Sequence, residues 1–138
     1  MQSSRYGGIS CLLDSDIAID FLRRRGYARK LLENWAGEGL LAFSTLTHLE
    51  IYQGMKAVEE DATNAFLDGM VSIAVDIAIA RRAGIILSEN RVRGVTVGIA
   101  DAIIAATALQ LGVPLLTNNV EHYPFTGLKV VRGLEPLA

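Results

Sequence analysis

Three acidic residues and one asparagine interrupt apolar stretches of the sequence at well-separated positions, namely Asp14, Glu50, Asp101 and Asn119. Carboxylate and amide oxygens are the ligands that hard divalent cations such as Mg²⁺ prefer. Two carboxylates about 4 Å apart repel each other by about 4 kcal/mol at an effective dielectric constant near 20, so converging carboxylates need raised pKa values or a cation. If the fold brings these residues together, they predict a site for Mg²⁺ or Mn²⁺.

Metal sites built from nitrogen and sulfur ligands are not indicated. The two histidines, His48 and His122, stand far apart, and the single cysteine, Cys11, lies in a predicted buried strand. Zinc sites need several such residues at short spacings, which this chain lacks. We expect His48 on a helix surface, His122 in a loop, and Cys11 reduced and packed in the core.

Asp14 and Glu50 lie where a predicted strand gives way to a helix. Asp14 follows the apolar run 9–13, and a helix is expected over 16–24. Glu50 lies about one turn into a helix predicted over 46–58. Both residues are thereby placed near the carboxyl ends of strands, where ligands bind in open α/β sheets.

Asp101 and Asn119 occupy comparable places further along the chain. Asp101 interrupts an otherwise apolar helix predicted over 99–111, and Asn119 comes two residues after a strand predicted over 113–117. Since an α/β sheet collects the carboxyl ends of parallel strands at one edge, all four residues are predicted to meet there.

The alternation of strands and helices is typical of a mainly parallel sheet covered on both faces, a three-layer α/β/α sandwich. A chain of 138 residues suffices for one domain, which we expect over residues 9–138, preceded by a flexible polar leader over residues 1–8. The other predicted elements are helices over 27–36, 62–69 and 75–87, strands over 40–43, 70–73 and 128–131, and a loop over 91–98.

Composition excludes a uniformly basic nucleic-acid-binding surface, because the formal net charge is −2. Positive charge is clustered locally, at Arg23–Arg25 and at Arg91 and Arg93, where it serves either as solvated helix faces or as phosphate contacts. No apolar stretch is long enough to span a bilayer, and no basic leader precedes an export segment. We expect a cytoplasmic protein without membrane contact.

Each of the four oxygen-bearing residues also has a purely structural interpretation. Asp14 can cap a helix, and Glu50 can face solvent. Asp101 in the first turn of a helix is favoured by the helix dipole, by up to ~1 kcal/mol. Asn119 can turn the chain, because asparagine tolerates left-handed backbone.

Four segments of this chain resemble the successive motifs of the PIN-domain nucleases, most closely the VapC-type toxins of prokaryotic toxin–antitoxin pairs. The segments are 12–16, 46–50, 99–108 and 115–119, the last followed by His122-Tyr123 and Gly127-Leu128. The Asp-Ala-Ile-Ile-Ala-Ala-Thr-Ala run within 99–108 is the most specific of them. The resemblance covers nearly the whole chain after residue 8.

The resemblance implies a metal-dependent endoribonuclease that hydrolyses RNA phosphodiester bonds with Mg²⁺ or Mn²⁺. It assigns Asp14, Glu50 and Asp101 to the metal, and Asn119 to the fourth position of the acidic site. Thr117 matches the nearby hydroxyl of the family pattern and is assigned to substrate binding. The resemblance also implies a homodimer and a cognate VapB-like antitoxin that blocks the site.

Two positions depart from the family pattern. The family commonly has asparagine where this chain has Asp16, which either adds negative charge near the metal or caps the first helix. Asn119 is often aspartate in the family, so this chain supplies an oxygen without charge and has a weaker case for a second metal. We assign phosphate contacts to Arg91 and Arg93, and to the cluster Arg23–Arg25.

Two rival functions remain open. The run Asp14-Ser15-Asp16 also resembles the opening of haloacid-dehalogenase-type phosphatases, but that family needs a downstream lysine and a paired acidic motif. After Lys56 the only lysine is Lys129, and Asp101 has no acidic neighbour. The second rival is a non-catalytic PIN-like RNA-binding protein whose acidic cluster is too weak to load metal.

Overall fold

The computed structural model describes residues 7–134, whose centre is a five-stranded sheet in which every strand pair is parallel. The spatial order of the strands is β3-β2-β1-β4-β5, so β1 lies in the middle, between β2 and β4. The strands are β1 (Ile9–Leu13), β2 (Leu40–Ser44), β3 (Val71–Ile73), β4 (Leu115–Thr117) and β5 (Val130–Arg132).

Helices connect the strands along most of the chain. They are α1 (Ser15–Leu22), α2 (Gly26–Ala36), α3 (Thr45–Gly54), α4 (Glu60–Asp68), α5 (Ile77–Val92) and α6 (Ile99–Leu111), with short 3₁₀ turns at Ala57–Glu59 and Val120–His122. The described elements follow the predicted order of strands and helices.

Two helices end about four or five residues away from their predicted last residues. The helix predicted over 46–58 ends at Gly54, and Met55 is already extended. The helix predicted over 75–87 continues to Val92, so Arg91 lies in a helix and not in the predicted loop. Its last turns continue because Asn90 is buried and its side-chain amide donates to the Ile86 carbonyl, 2.8 Å away.

Side chains on the central strand alternate between two separate apolar cores, as a sheet covered on both faces requires. Leu12 packs in the core that α5 and α6 complete. Cys11 and Leu13 point the other way, into the core formed with residues of α1 to α4. The predicted three-layer α/β/α sandwich is confirmed, and Cys11 is fully buried as expected.

The predicted leader, residues 1–8, lies mostly outside the described residues, as do residues 135–138 of the predicted domain. Gly8 is described, and its carbonyl accepts a hydrogen bond from the Leu40 amide at 2.7 Å. Gly8 has a φ of 88°, which glycine adopts without strain. Within residues 7–134, no helix has both the length and the apolar character that crossing a bilayer requires.

Replacing Gly39 with alanine is expected to destabilise the protein by about 1–3 kcal/mol. A Cβ at this position would lie 2.5 Å from the Gly8 carbonyl oxygen, so the backbone that leads into β2 must shift. Urea unfolding would measure the change. Gly54→Ala is the matched control, because a Cβ there has no neighbour within 4 Å. Equal stability of the two variants would contradict this explanation.

Candidate active site

Asp14 is the first residue after β1 and the N-cap of α1. Its Oδ1 accepts the Ser15 amide at 2.8 Å. Its Oδ2 accepts two hydroxyl groups, from Thr117 at 2.8 Å and from Tyr123 at 2.9 Å. Thr117 reaches Asp14 because β1 and β4 are neighbours in the sheet.

Asp14 is buried, with only 8% of the residue exposed to solvent. Burial raises its pKa above the usual range, and the nearby charge of Asp101 adds to this increase. The hydrogen bonds from Thr117, Tyr123 and Ser15 act in the opposite direction, since they favour the charged form. Capping of α1, the structural interpretation of Asp14, is therefore correct, but it accounts for only one of three hydrogen bonds.

Asp101 lies in the first turn of α6, whose N-cap Gly98 has no side chain to offer. Its Oδ1 is 3.2 Å from the Tyr123 hydroxyl, and its Oδ2 is 3.3 Å from Nδ1 of His122. One hydroxyl group thus contacts both Asp14 and Asp101. The carboxyl edge of the sheet brings these two predicted residues together.

Glu50 joins the same region from α3. The Ser15 hydroxyl donates to Oε1 of Glu50 at 2.7 Å and lies 2.9 Å from the Thr47 hydroxyl. Because the backbone amide of Ser15 donates to Asp14, this single residue links the two acids. Glu50 is therefore half-buried and hydrogen-bonded, not a solvent-facing glutamate.

Asn119 is exposed and lies in the loop after β4. Its backbone amide donates to the Thr117 hydroxyl at 3.0 Å. Its φ of −96° lies outside the left-handed region, so the turn does not use the backbone freedom of asparagine. Its side-chain amide is 3.5 Å from Oδ2 of Asp16. Thr117 is fully buried, and its hydroxyl donates to Asp14. Its contact with substrate stays a prediction.

Asp16 connects the start of α1 to the loop after β4. Its Oδ1 accepts the Ile17 amide, and its Oδ2 accepts the Asn118 amide, both at 2.8 Å. Burial, and next the charge of Asp14, raise the pKa of Asp16 to about 6. Asp16 is thus a further acid close to the pair, and Asp14, not Asp16, is the N-cap.

Asp16→Asn is expected to stabilise the metal-free protein at pH 7.5. The folded state raises the pKa of Asp16 from 3.8 to about 6, so ionisation lowers the stability as the pH rises through this window. After allowance for solvent screening, we expect a gain of about 1 kcal/mol, or a few degrees in Tm. Thermal melts with EDTA at pH 3.5 and 7.5 would test this. A gain of equal size at both pH values would contradict the charge-based explanation.

The predicted phosphate-binding arginines lie in two separate parts of the chain, at the end of α1 and at the end of α5. Arg91 and Arg93 are exposed at the C-terminal end of α5. The following loop, residues 95–98, lines a cleft of about 300 Å³ together with Asp101 and His122. Arg23 and Glu50 both line a second cleft.

The donor set is all oxygen and suits a hard divalent cation. Within residues 7–134, no three His, Cys, Asp or Glu side chains form a group that could hold a metal ion. Asp14 and Asp101 are the two carboxylates that contact the Tyr123 hydroxyl. Mg²⁺ in proteins commonly takes one or two carboxylates and completes its shell with water and substrate. The residues present fit such a cation.

Tyr123 is a residue of the candidate site that the sequence patterns do not predict, although it belongs to the His122-Tyr123 motif. It is 3% exposed and follows the mostly polar segment 118–122. A tyrosine in a buried position needs a partner for its hydroxyl, so an aromatic residue just after a candidate site was the available signal.

The PIN domain family model matches residues 11–125. This chain belongs to the PIN-domain family. The PIN-domain protein is 35% identical to Ribonuclease VapC19 of Mycobacterium tuberculosis over 114 residues, which cover 82% of this chain and 91% of the relative. It is also 35% identical to Ribonuclease VapC10 of that organism over 131 residues, covering 92% and 98% of the two chains.

Solved structures share this fold. A toxin–antitoxin complex from Klebsiella pneumoniae contains a chain with 30% identity and a TM-score of 0.78, over 92% of the PIN-domain protein and 100% of that chain. VapBC2 from Rickettsia felis, bound to a DNA fragment from its promoter, has a TM-score of 0.79 over 90% and 98% of the two chains. At 20% identity this second likeness concerns the fold alone. The resemblance to VapC-type PIN-domain proteins is confirmed.

Proposed function

We propose that this PIN-domain protein is a VapC-type toxin, a ribonuclease that hydrolyses RNA phosphodiester bonds with Mg²⁺ or Mn²⁺. The observation that carries the proposal is the convergence of Asp14 and Asp101 on one hydroxyl group at the carboxyl edge of the sheet. The names of its relatives, which are ribonucleases, support RNA as the substrate.

Asp14 and Asp101 would hold the metal, since they are the two carboxylates that meet. Glu50 would contribute negative charge from α3, connected to the pair through Ser15. Asn119 offers a neutral amide oxygen at the open side of the site. A bound divalent ion supplies a water of lowered pKa and stabilises negative charge on the phosphate.

The chain's own residues would then place the RNA. We assign the phosphate contacts to Arg23, which lines the same cleft as Glu50, and to Arg91 and Arg93 at the end of α5. The cleft next to Asp101 has room for a nucleotide. Sequence-specific recognition of RNA mostly targets unstacked, single-stranded segments, and we propose such a segment as the substrate.

The antitoxin complexes among the structural neighbours support a cognate VapB-like antitoxin as partner, and the family supports a homodimer. We place this activity in the cytoplasm, where RNA and a newly made antitoxin are both accessible. Co-expression and size-exclusion chromatography with the adjacent gene product would test the partner, and light scattering would test the dimer.

Incubation of the purified protein with a panel of structured and single-stranded RNAs tests the function. We expect endonucleolytic cleavage that needs Mg²⁺ or Mn²⁺, stops with EDTA, and returns when metal is restored. A phosphate-monoester substrate should remain intact. Hydrolysis of the monoester instead of RNA would support a phosphatase and overturn the proposal.

A second candidate is a non-catalytic RNA-binding protein with this fold. One observation favours it, the lack of a group of three metal-binding side chains among the described residues. Calorimetry with Mn²⁺ separates the two functions. RNA binding without metal binding or cleavage is the result expected of the non-catalytic protein.

A further inference from the structure

Tyr123 holds its hydroxyl group between two carboxylates and has little freedom to move it away. Its ring belongs to the apolar core on the α5 and α6 face of the sheet and meets Phe125 edge-on at 6.4 Å. The side chain is 3% exposed. Withdrawal of the hydroxyl would require withdrawal of the ring from this core, which costs apolar burial.

The hydroxyl group has one proton for two acceptors. It lies 2.9 Å from Oδ2 of Asp14 and 3.2 Å from Oδ1 of Asp101. A phenol is protonated near neutral pH, so the hydroxyl is a hydrogen-bond donor. Since a phenol donates only one hydrogen bond at a time, it partly satisfies the pair but neutralises neither charge.

The lone pairs of Asp14 are nearly all in use. Its Oδ2 accepts both Thr117 and Tyr123, and its Oδ1 accepts the Ser15 amide. A carboxylate has about four lone-pair sites. A cation that binds through the oxygens facing Asp101 must therefore take over the site that the Tyr123 hydroxyl uses.

We propose that the Tyr123 hydroxyl and a divalent cation compete for the facing oxygens of Asp14 and Asp101. Tyr123 is then a positioning residue that holds the pair together without metal and reduces its metal affinity. The inference rests on the proposed metal-dependent function. It adds a residue that sets the metal concentration at which the site is occupied. The exchange of the hydroxyl for the cation at these oxygens is reversible, because both bind them without a covalent bond.

Titration of the full chain with Mn²⁺, followed by the EPR signal of free Mn²⁺, tests the competition. Tyr123→Phe keeps the ring and removes the competing donor, so its Mn²⁺ dissociation constant should fall about tenfold, the equivalent of one net hydrogen bond. Its metal-free Tm should also fall, because buried Asp14 loses a donor. Tyr52→Phe is the matched control, because this 41% exposed tyrosine on α3 also donates its hydroxyl, to Asn64, away from the acidic pair. It should leave the Mn²⁺ dissociation constant unchanged.

The outcomes separate this inference from the proposed function. Equal or weaker Mn²⁺ binding by Tyr123→Phe, with clear binding by the parent, would overturn the competition and leave the metal-dependent function standing. If neither protein binds Mn²⁺, the metal-dependent function fails, and the inference fails with it. Tighter binding by Tyr123→Phe alone supports the inference.

A second measurement does not depend on the folding of that variant. The chain has four tyrosines, and a protein in which only Tyr123 is kept gives one phenolic carbon signal after ¹³C-tyrosine labelling. Addition of Mg²⁺ should shift this signal, because the hydroxyl loses its carboxylate acceptors. An unchanged signal at saturating Mg²⁺ would overturn the proposal.

Discussion

Replacing Asp101 with asparagine should reduce RNA cleavage about 10³-fold or more, because the site loses one of the two charges proposed to hold the metal. Asparagine has nearly the same size and keeps an oxygen for the Tyr123 hydroxyl, so the fold should persist. Cleavage rates at saturating Mn²⁺, measured beside circular dichroism spectra of the same samples, would check both expectations.

Asp68→Asn provides the matched control for this substitution. Asp68 is an exposed acid at the end of α4, outside the acidic site, and its loss removes the same formal charge from the protein. Its RNA cleavage rate should remain within about twofold of the parent rate, as expected for a surface substitution away from the acidic site. An Asp101→Asn protein that cleaves RNA at the parent rate would show that Asp101 only stabilises α6.

Phe43→Ala should lower the free energy of unfolding by about 3–5 kcal/mol. Phe43 is fully buried in the core on the α1 to α4 side, where its ring lies 6.1 Å from that of Phe66 and 5.3 Å from that of His48. Its removal costs both apolar burial and the contacts of a closely packed interior. Urea unfolding at 15 °C would give the change.

Leu49→Ala is the comparison for the core variant. Leu49 lies on α3, which directly follows the strand of Phe43, and is 60% exposed, so its truncation should change the stability by less than about 0.5 kcal/mol. Similar losses for Leu49→Ala and Phe43→Ala would mean that the outer surface of α3 is covered by another chain. Below its melting temperature, the Phe43→Ala protein should still cleave RNA.

The meeting of Asp14 and Asp101 could be predicted from the sequence because two simple rules act together. Apolar runs ending in a polar residue locate the ends of strands, and a parallel sheet collects those ends at one edge. The contribution of Tyr123 could not be predicted in this way. Its ring follows a 3₁₀ turn, where no periodic pattern states which way a side chain points.

Helix ends were the less predictable part of the fold, for local reasons. The glycine at position 54 ends α3, although the residues beyond it continue a helical pattern. At α5 the opposite occurs, because buried Asn90 extends the helix by a hydrogen bond within it. Asn90 is polar, so the pattern alone indicates a surface residue at a position that the fold buries.

The hydrogen bonds at Asp14 join parts of the chain that are made at very different times. Thr117 and Tyr123 lie 103 and 109 residues after Asp14, and both donate to the same carboxylate oxygen. A growing polypeptide on the ribosome exposes Asp14 long before either donor is synthesised. The hydrogen-bonded acidic pair therefore forms only after residue 123 has been synthesised, so ribosomal products that stop before it should lack the proposed RNA cleavage.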